Sequence, residues 1–178
     1  MAYDSQKHHR QSIRAKGYDY SEPGGYFVTI CTYDRQCILG EVSNGKTQLS
    51  SCDQFVQSAW NQLPRRFPDI ALDECVIMPN HIHGIIMVVG AQFIAPHPIG
   101  LRKGAINRAP TLGEIIRTFK AASTRLIRQN GHFSFAWQRN YYDHIMRSDH
   151  DLARVRQYIA DNSANWEMDE ENPDRKPR

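Results

Sequence analysis

The sequence predicts an α+β fold in which helices pack on a sheet, and three observations carry that reading. Runs rich in β-branched and aromatic residues are bounded by Gly, Pro and Asn turn signals, while other stretches repeat apolar residues at helical spacing. Two of the helical stretches open with a capping box, Thr111 with Glu114 and Ser148 with Asp151. The most apolar run, "CVIMPNHIHGIIMVV" at residues 75–89, reads as two strands around a Pro-Asn turn, or as one strand bent at Pro79.

In chain order, "YFVTICTY" from Tyr26 to Tyr33 follows the turn signal "EPGG" and reads as the first strand. "QCILGEV" and "KTQLS" form a hairpin across "SNGK". From Ser51 to Arg66, Phe55, Val56, Ala59, Trp60 and Leu63 recur at helical spacing with Pro68 beyond the end, which makes a first helix with Trp60 in the core. The apolar run around Pro79 then supplies the central pair of the sheet, and residues 90–110, with three prolines and little periodicity, read as a long loop. A second helix runs from Thr111 to about Gln129, with Leu112, Ile115, Ile116, Phe119 and Leu126 on one side. Arg117, Lys120, Arg125 and Arg128 gather opposite them in an arc of roughly 140°, either as a solvated face or as a phosphate-binding one. A strand and turn region precedes a third helix, whose buried stripe is Leu152, Val155 and Ile159 and whose surface sets Tyr158 beside Asn162, four residues on.

A chain of 178 residues has room for one full core, so a single domain is expected, flanked by a basic tail at about 1–20 and a polar, solvated tail at about 167–178. With 40% hydrophobic and 23% charged residues it resembles neither a disordered chain nor a coiled coil. No apolar run approaches the roughly 18 to 20 residues of a membrane span, and the polar, basic N-terminal stretch is unlike a secretory signal. A cytoplasmic protein with no membrane partner is expected. Cys31, Cys37, Cys52 and Cys75 form no CxxC pair and read as reduced thiols. A net charge of +3 is too small by itself to identify a polyanionic partner.

His81 and His83 raise the sharper question. In a strand, residues i and i+2 share a face, so the two imidazoles project together while Ile82 goes to the other side. Polar side chains in such an apolar context are costly unless compensated, and two adjacent imidazoles make half of a metal site. Gly84 leaves room there for a ligand or a backbone. Position 85 is Ile, which rules out a third alternating histidine, and no HExxH or Cys pair is present, so further ligands must come from elsewhere in the chain.

"MPNHIHGII" resembles the HUH motif (U being hydrophobic) of single-tyrosine endonucleases, and "WQRNYYDHIMR" followed by "DLARVRQYIADNSANW" resembles the C-terminal signature of the transposases of that group. The nearest resemblance is to the REP-associated tyrosine transposases, relatives of insertion-sequence transposases, and it spans most of the chain. It implies a ferredoxin-like or RNA-recognition-like palm with a central antiparallel sheet, and a transposase that cleaves and rejoins hairpin-associated single-stranded DNA. It further implies Tyr158 as nucleophile, His81, His83 and Asn162 as ligands of Mg²⁺ or Mn²⁺, a 5′-phosphotyrosine intermediate, and a monomer or homodimer. The family pattern has Pro after this Asn, where this chain has Ser163.

Other residues are candidates for support. His144 and Arg154 are possible neighbours of the site, Arg154 by favouring the phenolate. Arg117, Lys120, Arg125, Arg128, Trp137 and Arg139 are candidates for DNA contact, since bases stack on rings while phosphates meet cations. Tyr141 and Tyr142 are rival nucleophiles, read instead as packing residues. Two other functions share these motifs: a domesticated hairpin-DNA-binding protein that no longer cleaves, supported by the missing Pro, and a replication or mobilisation nuclease, for whose helicase the chain has no room.

Overall fold

The computed structural model describes residues 19–43, 45–89 and 110–175; the expected basic tail, apart from Asp19 and Tyr20, and nearly all of the expected long loop lie outside them. The elements are β1 (Gly24–Cys31), β2 (Gly40–Ser43), β3 (Lys46–Leu49), α1 (Ser51–Asn61), α2 (Leu63–Arg66), β4 (Ile70–Met78), β5 (His81–Val88), α3 (Leu112–Gln129), β6 (Tyr142–Met146) and α4 (Asp149–Asp161). β1, β4, β5 and β6 form an antiparallel sheet in the order β4-β5-β1-β6, and β2 with β3 forms a separate hairpin.

The apolar run around Pro79 does make two strands, but only β5 is central; its sheet partner there is β1, and β4 lies at the edge. β5 is buried along nearly its whole length, whereas β4 carries Asp73 and Glu74 at a register irregularity between Leu72 and Cys75. Charges and a bulge suit an edge strand, where they discourage further pairing.

Strand alternation divides the core. Tyr26, Val28, Ile30, Ile82 and Ile86 point toward α1 and α3 and join the main cluster, while Phe27 and Ile85 point the other way, onto Val155 and Ile159 of α4. α3 begins with the full reciprocal cap: Glu114 N–H donates to Thr111 Oγ1 at 3.3 Å and Thr111 N–H donates to Glu114 Oε2 at 2.9 Å. At α4 only half of the expected box is present. Asp151 N–H donates to Ser148 Oγ, but the Asp151 carboxylate is drawn to His144 and Arg154 instead. The expected first helix is divided after Asn61, because Pro64 near the start of α2 lacks the N–H a continuing helix requires. All four cysteines carry free thiols.

Trp60 of α1 lies over Gly84, where an added Cβ would run into Cζ2 of the indole. The glycine thus serves packing on the helical side of the sheet, and no ligand approach. Gly84→Ala is expected to destabilise the fold by about 1–3 kcal/mol through overpacking; an unchanged denaturant midpoint would show that the indole can yield.

Candidate functional site

β5 directs His81 and His83 to the face covered by α4, where their side chains are 0% and 2% exposed as residues. Each ring is oriented by a neighbour. Asn80 donates from Nδ2 to the carbonyls of Arg35 at 3.1 Å and Glu171 at 2.7 Å, which turns its Oδ1 toward His81 Nδ1 at 2.8 Å. Since Oδ1 can only accept, Nδ1 of His81 holds the proton and Nε2 presents a lone pair. His83 Nδ1 meets Thr29 Oγ1, across the β1–β5 pair, at 2.8 Å. The two Nε2 atoms face each other at 2.9 Å.

Burial sets the charge of the pair. Loss of water, with the nearby Arg35 charge, pushes His81 down to about 3. His83 is also lowered, first by burial and then by His81. Both rings are therefore neutral at neutral pH, the form that binds a cation.

The third group comes from the segment expected to be a solvated tail. A short 3₁₀ turn, Trp166–Met168, brings Asp169 back over the sheet, where it is buried with Oδ2 4.0 Å from His81 Nε2. Glu171 N–H donates to its Oδ1 at 2.7 Å. His81, His83 and Asp169 each offer a ligand atom, all within 4.8 Å of one another. Asn162, expected as the third ligand, stands behind this carboxylate: its Nδ2 donates to Asp169 Oδ2 at 3.3 Å, and its own Oδ1 is buried without a hydrogen-bond donor. An Asp-rich stretch reads as solvated in sequence, and only the chain reversal after α4 reveals its role. Ser163, in the place of the family Pro, meets Thr47 Oγ1 at 2.8 Å and ties the end of α4 to β3.

Tyr158 is 47% exposed, and its hydroxyl lies 3.3 Å from His83 Nε2, while its ring meets Phe27 edge-on. Burial first, then the Asp169 charge, raises this phenol to about 12, against a lowering hydrogen bond from Asn162. Tyr158 opens onto a pocket of about 530 Å³ whose walls include Phe27, Thr29, His83 and Tyr142. Tyr142, expected to pack, is instead 54% exposed at this pocket, whereas Tyr141 does pack against the core. α4 is held in place by Arg156, whose Nε donates to Asp73 Oδ1 of β4 at 2.9 Å.

The remaining candidates separate. His144 Nε2 and Arg154 Nη2 both bind Asp151, at 2.9 and 2.6 Å, so both side chains turn to the start of α4. Trp137 is only 7% exposed; its Nε1 donates to Ser123 Oγ and its ring packs among Phe119 and Phe135, so it is core and unavailable for base stacking. Phe133 is the ring exposed nearby, at 78%. The cationic face of α3 is not uniform. Lys120 is partly buried, donates to the carbonyls of Gln138 and Asn140 at 2.8 and 2.9 Å, and is pushed down to about 8 by burial. Arg128 Nε donates to the Phe135 carbonyl. Arg117, Arg125 and Arg139 are exposed and form no ion pair among the described residues.

Hydrogen bonds from His144 and then Arg154 hold the Asp151 carboxyl below its ordinary range. A lowered carboxyl stabilises the fold above its unfolded pKa of about 3.9 and ceases to do so as pH falls through the folded value. Asp151→Asn should therefore melt at a lower temperature than the wild type near pH 7, with the gap closing below about pH 4; a gap independent of pH would assign the loss to something other than this charge.

No family model matches the chain. It is 38% identical over 172 residues to an uncharacterized protein of Haemophilus influenzae, covering 94% of this chain and 96% of that one. A second protein of that organism, provisionally named a REP-associated tyrosine transposase, is 28% identical over 141 residues, which is 79% of this chain and 70% of its own length. A solved structure of a REP-associated tyrosine transposase bound to a REP hairpin shares the fold, with a TM-score of 0.58 over 86% of this chain and 73% of that one at 18% identity. Among the described residues no helix is long and apolar enough to cross a membrane.

Proposed function

We propose, from a chain that resembles the REP-associated tyrosine transposases in motif, in relatives and in fold, that it is a metal-dependent transposase cleaving and rejoining single-stranded DNA beside hairpins, with Tyr158 as nucleophile. The observation that carries this reading is the Tyr158 hydroxyl 3.3 Å from His83, at a point where two neutral imidazoles and a carboxylate converge.

The residues fit a divalent cation. With Nδ1 of His81 protonated, its Nε2 presents a lone pair, and because the Thr29 hydroxyl can accept from Nδ1 of His83, the Nε2 of His83, 2.9 Å away, can present a second one to a cation. Asn80 and Thr29 behind the rings supply the outer hydrogen bonds that such ligands require. His81, His83 and Asp169 would hold the ion, with the free Oδ1 of Asn162 close by. Bound Mg²⁺ or Mn²⁺ supplies charge withdrawal from a non-bridging phosphate oxygen.

The chain's own groups do the rest. Tyr158 Oη gives up its proton to solvent and attacks phosphorus, the bond to the 3′ oxygen breaks, a tyrosine–5′-phosphate ester forms, and the 3′ oxygen leaves to take up a proton as a hydroxyl. A second 3′-OH reverses the exchange without ATP. Because burial and Asp169 hold Tyr158 near 12, it rests as a phenol, and compensation of the Asp169 charge removes one of these two causes. Phe27 and the sheet fix the direction of attack, while exposed Tyr142 offers a face to a neighbouring base.

Incubation with labelled hairpin oligonucleotides and Mn²⁺ or Mg²⁺ is expected to yield a covalent protein–DNA adduct on a denaturing gel, absent with chelator and absent in Tyr158→Phe. Tight binding with no adduct under any metal would leave the non-cleaving hairpin-binding reading. In a Mn²⁺ titration of the melting temperature, Asp169→Asn should need about 10- to 100-fold more metal than the wild type; an unchanged titration would remove Asp169 from the ligand set.

A further inference from the structure

Shortly after β1 the backbone enters an uncommon conformation at two successive residues: φ is 54° at Asp34 and 52° at Arg35. Residues with a Cβ adopt this left-handed region only where their surroundings hold them there, and such residues gather at working sites. The turn is held firmly. Thr32 N–H donates to the Asn80 carbonyl at 2.8 Å, Tyr33 N–H to that of Ala136 at 2.8 Å and Leu39 N–H to that of Pro79 at 2.9 Å. Residues 32–39 are therefore wrapped around the Pro79–Asn80 turn that leads into His81.

From this turn Arg35 reaches two places at once. Its carbonyl accepts from Asn80 Nδ2, a contact that helps to turn Asn80 Oδ1 toward His81. Its side chain crosses to the segment that returns after α4: Nη1 donates to the Glu170 carbonyl at 3.1 Å, and Nε lies 3.1 Å from Glu171 Oε2. Asp169 immediately precedes these two residues, and Glu171 N–H donates to its Oδ1. Three successive carboxylates repel one another and are drawn toward water, yet Asp169 is buried. Among the described residues Arg35 is the arginine or lysine that pairs with this stretch. With 47% of its side chain exposed, the ion pair adds little to global stability, so its effect falls on where the segment sits.

We propose that Arg35 is a positioning residue of the metal site: its guanidinium fork clamps Glu170 and Glu171 and so presents the Asp169 carboxylate to His81 and His83, while its left-handed backbone aims the carbonyl that orients Asn80. The inference rests on the metal-site reading above. One early turn thereby joins the histidine strand to a ligand that arrives from the other end of the fold, and a planar fork suits the task because it serves a carbonyl and a carboxylate together. Charge alone argues for the opposite effect. A cation beside a metal site opposes the metal, so its deletion would tighten binding. Deletion of a clamp weakens binding, and the two roles differ in sign.

The test uses the full-length protein. Arg35→Gly and Arg35→Asn both suit the left-handed turn and keep the backbone carbonyl, so they remove the guanidinium without disturbing the fold of the turn. In a Mn²⁺ titration of the melting temperature each should need about tenfold more metal than the wild type, and Arg35→Lys, which keeps the charge but not the fork, about threefold more. Without metal, hydrogen exchange at the Glu171 and Asn172 amides should quicken about tenfold in Arg35→Gly and Arg35→Asn, while the central amides of α4 exchange as in the wild type. Nitrogen NMR of the imidazoles should still find the proton of His81 on Nδ1, because the carbonyl remains. Tighter or unchanged Mn²⁺ binding overturns the proposal, and so does a lowered melting temperature with an unchanged metal requirement, which would make Arg35 merely structural. A wild type that does not respond to Mn²⁺ removes the metal reading itself, and the exchange rates then decide the clamp alone.

Discussion

Antiparallel pairing of β1 with β5 sets Thr29 opposite His83 and Cys31 opposite His81, and the site follows from that register. A slip of one residue would turn both imidazoles toward α1 and α3 and put Ile82 in their place. The register is held by burial on both faces, since Val28, Ile30 and Ile82 fill one side while Phe27 and Ile85 fill the other. Burial then determines the protonation of the pair, because imidazolium cannot be solvated there. Packing and chemistry are here a single constraint.

The sheet separates two electrostatic environments. On the α4 side, acidic residues from the returning segment 169–171 surround a phenol that burial keeps protonated. On the α1 and α3 side, Arg65, Arg66, Arg117 and Arg125 line one groove and have no ion-pair partner among the described residues. Lys120 belongs to neither, since it is spent on the carbonyls of residues 138–140 and fixes the approach to β6. Helix position alone does not distinguish a cation that builds structure from one that is free to meet a phosphate.

Several readings of the sequence failed for the same kind of reason. Trp137 sits beside Arg139 in the chain and looks like a stacking platform, but the curvature of residues 130–137 turns it under α3 onto Ser123. Gly84 stands next to His83, yet its missing side chain matters on the opposite face, where Trp60 needs the space. Asn162 is a helical neighbour of Tyr158 as expected, and its amide nitrogen is turned to Asp169, a residue the spacing of α4 does not reveal. In each case the local spacing was sound and the deciding partner lay beyond the local repeat.

By itself the sequence determined the quantities that depend on neighbours in the chain. Strand alternation put His81 and His83 on one face, helical spacing put Tyr158 beside Asn162, and Thr111 with Glu114 closed the cap of α3. Those relations follow from backbone periods of two and 3.6 residues, which every strand and helix obeys. Only the tertiary structure decided that Asp169 joins the histidines, that the carbonyls of Arg35 and Glu171 turn Asn80 so that it sets the proton of His81, and that α2 and α3 gather four arginines into one groove. These depend on where the chain returns after its turns, which is decided by the burial of the whole core and leaves no local periodic trace.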